Sequence, residues 1–343
     1  MILVAGESLI DLIVGPDDGV HASPGGGPFN AARTIARLGQ PARFLGRFSA
    51  DPFGDLLTEK LVQDGVELAI PGRVPEPTAL AIVALGGLGV PEYWFHVAQT
   101  ATFVLDQPTA RQALRADVTA LHIGSLGLVV DPMAAELERL VHDLPPEVLL
   151  LLDPNWRPQA ILDADAHRAR IRRILPRTDI LKTSTEDLSF LVPDRRPAEA
   201  ARILLDWGAH CVLLTDGPSS VRAFTGGDQL AIQVPPVQVV DTVGAGDAFG
   251  GAFLAWWAER GLARENLEHS PELLAAVTAA ARVASLTCAR AGAEPPWRHE
   301  LDTDEEWASH SNSDPGAPGS PPAGNPLKSG RSAPTTSPRQ GNV

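Results

Sequence analysis

From Ala120 to Thr215, short apolar runs alternate with longer amphipathic stretches, and no other feature of the chain restricts its fold so tightly. Ala120–Ile123, Val148–Leu152, Ile180–Lys182 and Cys211–Thr215 read as strands, while Met133–His142, His167–Leu175 and Ala198–Trp207 carry apolar residues at helical spacing. Strands that are apolar throughout are buried on both faces, and parallel neighbours need crossover helices to join them. The alternation therefore predicts an α/β fold, a mostly parallel sheet with helices on both faces. Val221–Phe224 and Leu230–Val234, joined through Gly226-Gly227, read as a hairpin, and Ala-rich helices follow at Phe249–Glu259 and Pro271–Ala289.

The first part of the chain is less regular. Ile2–Ala5 and Leu9–Val14 read as strand material, Phe29–Leu38 as a helix stopped by Gly39, Ala42–Phe48 as one short strand, and Phe53–Asp64 as a helix stopped by Gly65. Thr78–Leu85 and Glu92–Val97, joined by a Gly-rich link, suggest a small accessory sheet. Beyond about residue 302 the composition changes. From Ser309 to Val343 the chain is rich in Pro, Ser, Gly and Asn, and its only aliphatics larger than Ala are Leu327 and Val343. Such a segment buries too little apolar surface to offset the entropy of ordering, so it is expected to be a disordered tail.

Composition narrows the function classes. A formal net charge of -14 argues against a nucleic-acid or anionic-membrane partner. The densest basic run, Arg168, Arg170, Arg172 and Arg173, is expected to be a solvated helix face. Cys211 and Cys288 lie far apart in apolar surroundings, which suits a reduced, cytoplasmic chain, and no Cys or His pairing has zinc spacing. Met1–Ala5 meets Glu7 and Asp11 at once and reads as a strand instead of a signal peptide, and no apolar run reaches membrane-spanning length.

The chemistry is concentrated in Asp241-Thr242-Val243-Gly244-Ala245-Gly246-Asp247-Ala248-Phe249-Gly250-Gly251-Ala252-Phe253. Gly244 and Gly246 let backbone N–H groups approach an anion, and the helix that starts near Asp247 aims its positive dipole end at the same point. Asp247 stands where a hydroxyl nucleophile would lose its proton. A plain strand-to-helix turn with a first-turn acid is the alternative. None of the three lysines, Lys60, Lys182 and Lys328, completes a Walker A loop, and Phe249 occupies the place of a dinucleotide fingerprint's third glycine.

Residues 241–253 resemble the C-terminal signature of the ribokinase-like (PfkB) carbohydrate kinases. Pro24-Gly25-Gly26-Gly27-Pro28-Phe29-Asn30, running on to Gly39, resembles the N-terminal signature of the same family. The likeness extends from about Ile2 to about Leu301 and leans toward the fructokinase branch. It implies a three-layer α/β/α domain over residues 1–301 with a small β-sheet lid built from segments about 9–24 and 72–100. It also implies transfer of the ATP γ-phosphoryl group to a sugar hydroxyl with Mg2+, and with K+ at a monovalent-cation loop. Asp247 would be the base and Gly244, Ala245 and Gly246 the anion hole. Asp11, at the end of its strand segment, would accept sugar hydroxyls, beside Gly25, Gly26, Asn30 and the lid aromatic Phe95. Arg157, in Asp153-Pro154-Asn155-Trp156-Arg157-Pro158, would contact phosphate or an acidic sugar.

On the nucleotide side the resemblance points to Lys182, Ser184 and Asp187, where Ser and Asp stand in place of the family's Asn and Glu around magnesium. Thr215 and Gly217 would lie beside the phosphates and ribose, and Ala281 near adenine, where many relatives carry Asn or His. Asp241, Val243, Thr287, Arg290 and Gly292 match the cation loop. Fructose is the first expected substrate, ahead of 2-keto-3-deoxygluconate and ribose- or nucleoside-type acceptors. A sugar- or nucleotide-binding protein with impaired catalysis is the reading from another class. Family lids often pair, so a homodimer through the lid is expected.

Overall fold

The computed structural model describes residues 1–15, 19–85, 91–301, 304 and 307. The first part of the chain forms β1 (Ile2–Ala5), β2 (Leu9–Val14), β3 (Val20–Gly25), α1 (Gly27–Arg37), β4 (Ala42–Leu45), β5 (Phe48–Ser49), α2 (Pro52–Gln63), β6 (Glu67–Leu68), β7 (Arg73–Val74), β8 (Leu80–Leu85), β9 (Pro91–His96) and α3 (Gln107–Ala113). The alternation follows with β10 (Ala120–Gly124), α4 (Met133–His142), β11 (Leu149–Asp153), α5 (Ala164–Ile174), β12 (Ile180–Ser184), α6 (Thr185–Leu191), α7 (Pro197–Asp206) and β13 (Cys211–Asp216). The hairpin β14 (Ser220–Phe224) and β15 (Gln229–Gln233) precedes the long helices α8 (Ala245–Glu259) and α9 (Ser270–Cys288).

Among the described residues the central sheet has nine strands in the order β15-β14-β13-β12-β11-β10-β1-β4-β6, parallel from β13 to β6, with only the terminal hairpin antiparallel. Successive side chains of each strand face opposite layers. Ile2, Val4 and Leu151 pack with Phe29, Phe253 and Val277 of α1, α8 and α9. Leu3, Ala5, Leu150 and Leu152 pack with Leu137, Ile171, Leu188 and Leu204 of α4 to α7. Uniformly apolar strands are what a sheet with two cores requires, and this α/β/α sandwich is the predicted fold.

A separate four-stranded sheet, β3-β2-β8-β9, is the expected accessory sheet. The link 86–90 and the tail beyond residue 307 lie outside the described residues. Three expectations need correction. The stretch Ala42–Phe48 is not one strand but two, divided at Gly46, where a Cβ would come within 2.7 Å of the Phe44 ring. Asp11 does not end a strand; it lies within β2, on the small sheet. The arginines of α5 are not simply solvated. Arg170 bonds Glu138, Asp131 and the Leu128 carbonyl, Arg173 pairs with Glu138, and Arg172 lies 4.6 Å from the Trp207 ring centroid.

Candidate active site

Ligands of parallel α/β sheets bind beyond the carboxyl ends of the strands, and here the polar residues gather there. Glu7 follows β1, Ser125 follows β10, Asp153 ends β11 and Lys182 lies in β12. Helix α8 enters the same region with its N-terminus. Gly244 precedes its first turn with φ 76°, and a Cβ there would come within 2.4 Å of the Ala293 Cβ, so glycine is required by both conformation and space. A Cβ on Gly246 would lie 2.8 Å from Lys182 Nζ, which places the lysine ammonium against the turn. Of the three turn N–H groups, that of Ala245 donates to the Thr242 carbonyl at 3.3 Å.

Asp247 sits in the first turn of α8, and its Oδ2 accepts from Asn30 Nδ2 of α1 at 2.9 Å. A Cβ on Gly27 would lie 3.2 Å from Asp247 Oδ1 and 3.1 Å from Asn155 Nδ2, so the glycine-rich turn also comes up against the carboxylate. Removal from water pushes the Asp247 carboxyl above its ordinary pKa and the Asp153 charge pushes the same way, opposed by the Asn30 hydrogen bond and the Lys182 and Arg157 charges. A carboxylate raised in this way is a stronger base than one in water.

A cavity of about 440 Å3 opens in front of Asp247. The odd-numbered positions of the small sheet face into it, among them Asp11, Ser23, Ala81, Tyr93 and Phe95. Tyr93 and Phe95 stack at 6.2 Å as same-face neighbours. Burial raises the Asp11 carboxyl to about 6, against the pull of Arg157. Gly25 and Gly26 form the turn beside it, and a Cβ on Gly25 would fall 2.1 Å from Asp11 Oδ2. Arg157 lines the cavity.

Glu7 was missed as a functional candidate. Its Oε1 accepts from the Gly27 N–H at 3.1 Å and its Oε2 from the Gly127 N–H at 2.9 Å, so one buried side chain ties together two walls of the cavity. Burial raises its carboxyl to about 7. Ser125 and Asn155, also missed, line the same cavity in the left-handed region, with φ 52° and 41°. An acid one glycine beyond an apolar strand was the available signal for Glu7; nothing in the sequence marked Ser125.

Against the Gly244–Gly246 turn, Lys182 Nζ bonds Asp153 Oδ2 at 2.8 Å with both side chains buried. Burial opposes the lysine's charge, but the Asp153 charge and hydrogen bond prevail and raise the pKa of Lys182. Ser184 caps α6, accepting from the Asp187 N–H at 3.0 Å, and Asp187 Oδ1 accepts from the Trp156 N–H at 3.0 Å. Burial raises the Asp187 carboxyl. Among the described residues no three His, Cys, Asp or Glu side chains could hold a metal by themselves. Yet Asp153 Oδ1 is buried without a hydrogen-bond partner, and the Asp153 charge raises both Asp187 and Asp247. A crowded acidic group with an unsatisfied oxygen fits a divalent ion held largely through water.

A second cavity, about 490 Å3, is bordered by Thr215, Gly217 and Ala281 and shares Thr242 and Gly246 with the first. Of the cation-loop candidates, Asp241 Oδ1 accepts from the Val243 N–H at 3.0 Å and Oδ2 from the Gly292 N–H at 2.9 Å. The other two are engaged elsewhere, Thr287 donating to the Val283 carbonyl and Arg290 pairing with Glu300.

Two cavities meeting at a glycine turn, with a hydrogen-bonded carboxylate at the junction, define a phosphoryl-transfer enzyme of the sugar-kinase type. Residues 1–300 match the family described as pfkB family carbohydrate kinase, and the chain belongs to that family. It is 34% identical over 261 residues to a fructokinase of Rhizobium leguminosarum bv. trifolii, covering 74% of this chain and 79% of that one. Among solved structures it resembles the ATP-bound fructokinase of Xylella fastidiosa (TM-score 0.74, 26% identity, 85% and 93% of the two chains). It resembles equally the fructokinase of Vibrio cholerae O395 with fructose, ADP and calcium (TM-score 0.74, 26% identity, 85% and 94%).

Proposed function

We propose that the protein transfers the γ-phosphoryl group of ATP to a hydroxyl of fructose. The Asp247–Asn30 bond at the meeting point of the two cavities carries this reading. Asp11 accepts hydrogen bonds from sugar hydroxyls, Phe95 packs on the sugar, and Arg157 fixes its open end. Asp247 then takes the proton of the attacking hydroxyl. The N–H groups of Gly244 and Gly246, the N-terminus of α8 and Lys182 stabilise negative charge on the group in transfer. Magnesium, held through water by Asp187 and Asp153, would neutralise phosphate charge. The nucleotide lies in the second cavity, with Thr215 and Gly217 beside the phosphates and ribose and Ala281 by the base. Asp241, Val243 and Gly292 frame a potassium site whose remaining ligands would be carbonyls, including those of Thr287 and Arg290.

The small sheet acts as a lid that excludes water, which protects ATP from hydrolysis. The face turned away from the cavity carries Val14, Val20, Ile82 and Trp94, with Val20 63% and Trp94 48% exposed. A second copy of the chain would cover it, and Trp94→Glu should then turn a dimer into a monomer in light scattering. No helix among the described residues is long and apolar enough to cross a membrane, and two free cysteines suit a cytoplasmic enzyme. The kinase domain reaches past the expected boundary at 301, since Trp307 is buried in its core and donates from Nε1 to the Ala279 carbonyl, and the separate tail begins at Ser309.

The deciding experiment is ADP release with MgATP, in potassium and in sodium, across fructose, 2-keto-3-deoxygluconate, ribose, glucose and nucleosides. Turnover on fructose supports the reading. Turnover on 2-keto-3-deoxygluconate alone transfers Arg157 to its carboxylate, and silence on every acceptor defeats the proposal.

A further inference from the structure

Adenine and guanine have similar shapes and opposite hydrogen-bonding edges, so an enzyme that separates them needs a fixed donor or acceptor facing the base. A site built to hydrogen-bond its ligand can reject an analogue by about 10⁴-fold or more, whereas a hydrophobic pocket discriminates weakly. The second cavity has the wall of a hydrophobic pocket. Val221, Val234, Val239, Phe249, Ala281 and Ala284 are part of it, and among the described residues no Asp, Glu, Asn, Gln, His, Lys or Arg lines it.

Its polar side chains are few and poorly suited to reading a base. Thr242 also borders the sugar-side cavity and so belongs to the phosphate end. The Thr215 hydroxyl lies 3.4 Å from the Thr183 carbonyl, back on the sheet. Ser285 donates to the Pro235 carbonyl at 3.1 Å, and what remains to it is a rotatable oxygen that accepts from either purine. The Cys288 thiol is at best a weak donor. The covering loop offers fewer backbone donors as well, since Pro235 and Pro236, which line the cavity, have no N–H.

We propose that this site recognises its donor by the phosphates and by apolar packing on the base, so that purine nucleoside triphosphates are interchangeable phosphoryl donors. GTP and ITP serve about as well as ATP, and the smaller pyrimidines of UTP and CTP serve less well because they bury less area. The inference rests on the kinase reading above.

The test uses the full chain. With the accepted sugar saturating, kcat/KM is measured for the magnesium complexes of ATP, GTP and ITP, and the dissociation constants of ADP and GDP are measured by calorimetry without sugar. The three triphosphates are expected within about tenfold of one another, and the two diphosphates likewise. Turnover with ATP and a separation from GTP wider than tenfold, in either measurement, overturns this inference and leaves the kinase standing. Silence with every triphosphate overturns both.

Discussion

Around the sugar-side cavity Glu7, Asp11, Asn30, Arg157, Lys182 and Asp247 converge, whereas the cavity beyond Gly246 is walled by valines, prolines, alanines and Phe249. The two share one turn of backbone yet differ in almost every other respect. Charge changes most where a bond is exchanged, and fixed dipoles and ionisable groups act on it only at that place. A base that is merely held needs contact area, which aliphatic side chains supply. The division implies that substitutions on the charged side should alter turnover or sugar affinity strongly, and those on the apolar side should alter nucleotide affinity weakly.

The largest expected effect breaks the comparison if it fails. Asp247→Asn keeps the side chain's shape and should lower kcat by about 10²–10⁴-fold while both ligands still bind by calorimetry; near-normal turnover would remove Asp247 as the base. Next comes Asp11→Ala, which removes an acceptor of charge-assisted hydrogen bonds and should raise the sugar KM by about 10–100-fold, with a smaller change in kcat.

Glu7→Gln should act more mildly, raising the sugar KM by about fivefold to tenfold, because the amide can accept from only one of the Gly27 and Gly127 N–H groups. It also has a signature in pH. The Glu7 pKa is raised from 4.5 to about 7, so between those values the folded protein keeps a proton that the unfolded chain has lost. Stability from this group is therefore lost as pH rises through the window. The melting temperature of Glu7→Gln relative to wild type should climb from pH 5 to pH 8, with Asp11 contributing a similar slope in both proteins. A flat difference would mean that Glu7 is ionised throughout. Cys288→Ser, on the apolar side, should change nucleotide KM by less than about threefold; a larger effect would mean that the thiol contacts the base and would blur the contrast between the cavities.

The layers were legible because uniformly apolar strands and amphipathic helices leave few other ways to bury both faces. The Gly244–Asp247 turn was legible because its chemistry is local, four consecutive residues with one job. Short elements escaped. Gln107–Ala113 and Thr185–Leu191 span about two turns each, too few for periodicity to register, although Asp106 and Ser184 cap them with side-chain hydrogen bonds. The clasp made by Glu7 escaped for a different reason. Its partners lie 20 and 120 residues away, and it takes the pairing of β1 with β10 to bring Gly127 within reach. Asp11 was found and its segment assigned to the lid, but it was set at a strand end where it lies inside β2, since strand ends are decided by pairing partners and not by a strand's own residues.

Gly251 packs against α1 so closely that a Cβ there would come within 2.7 Å of the Ala31 carbonyl oxygen. The helix bearing Asp247 and the helix bearing Asn30 thus touch backbone to backbone, and no side chain at this contact can yield and let one slide along the other. The pair forms a stiff mount, while the surfaces that select the acceptor sit on a different sheet. Whoever seeks to retarget the enzyme can rebuild strands β2, β3, β8 and β9 and leave the mount alone.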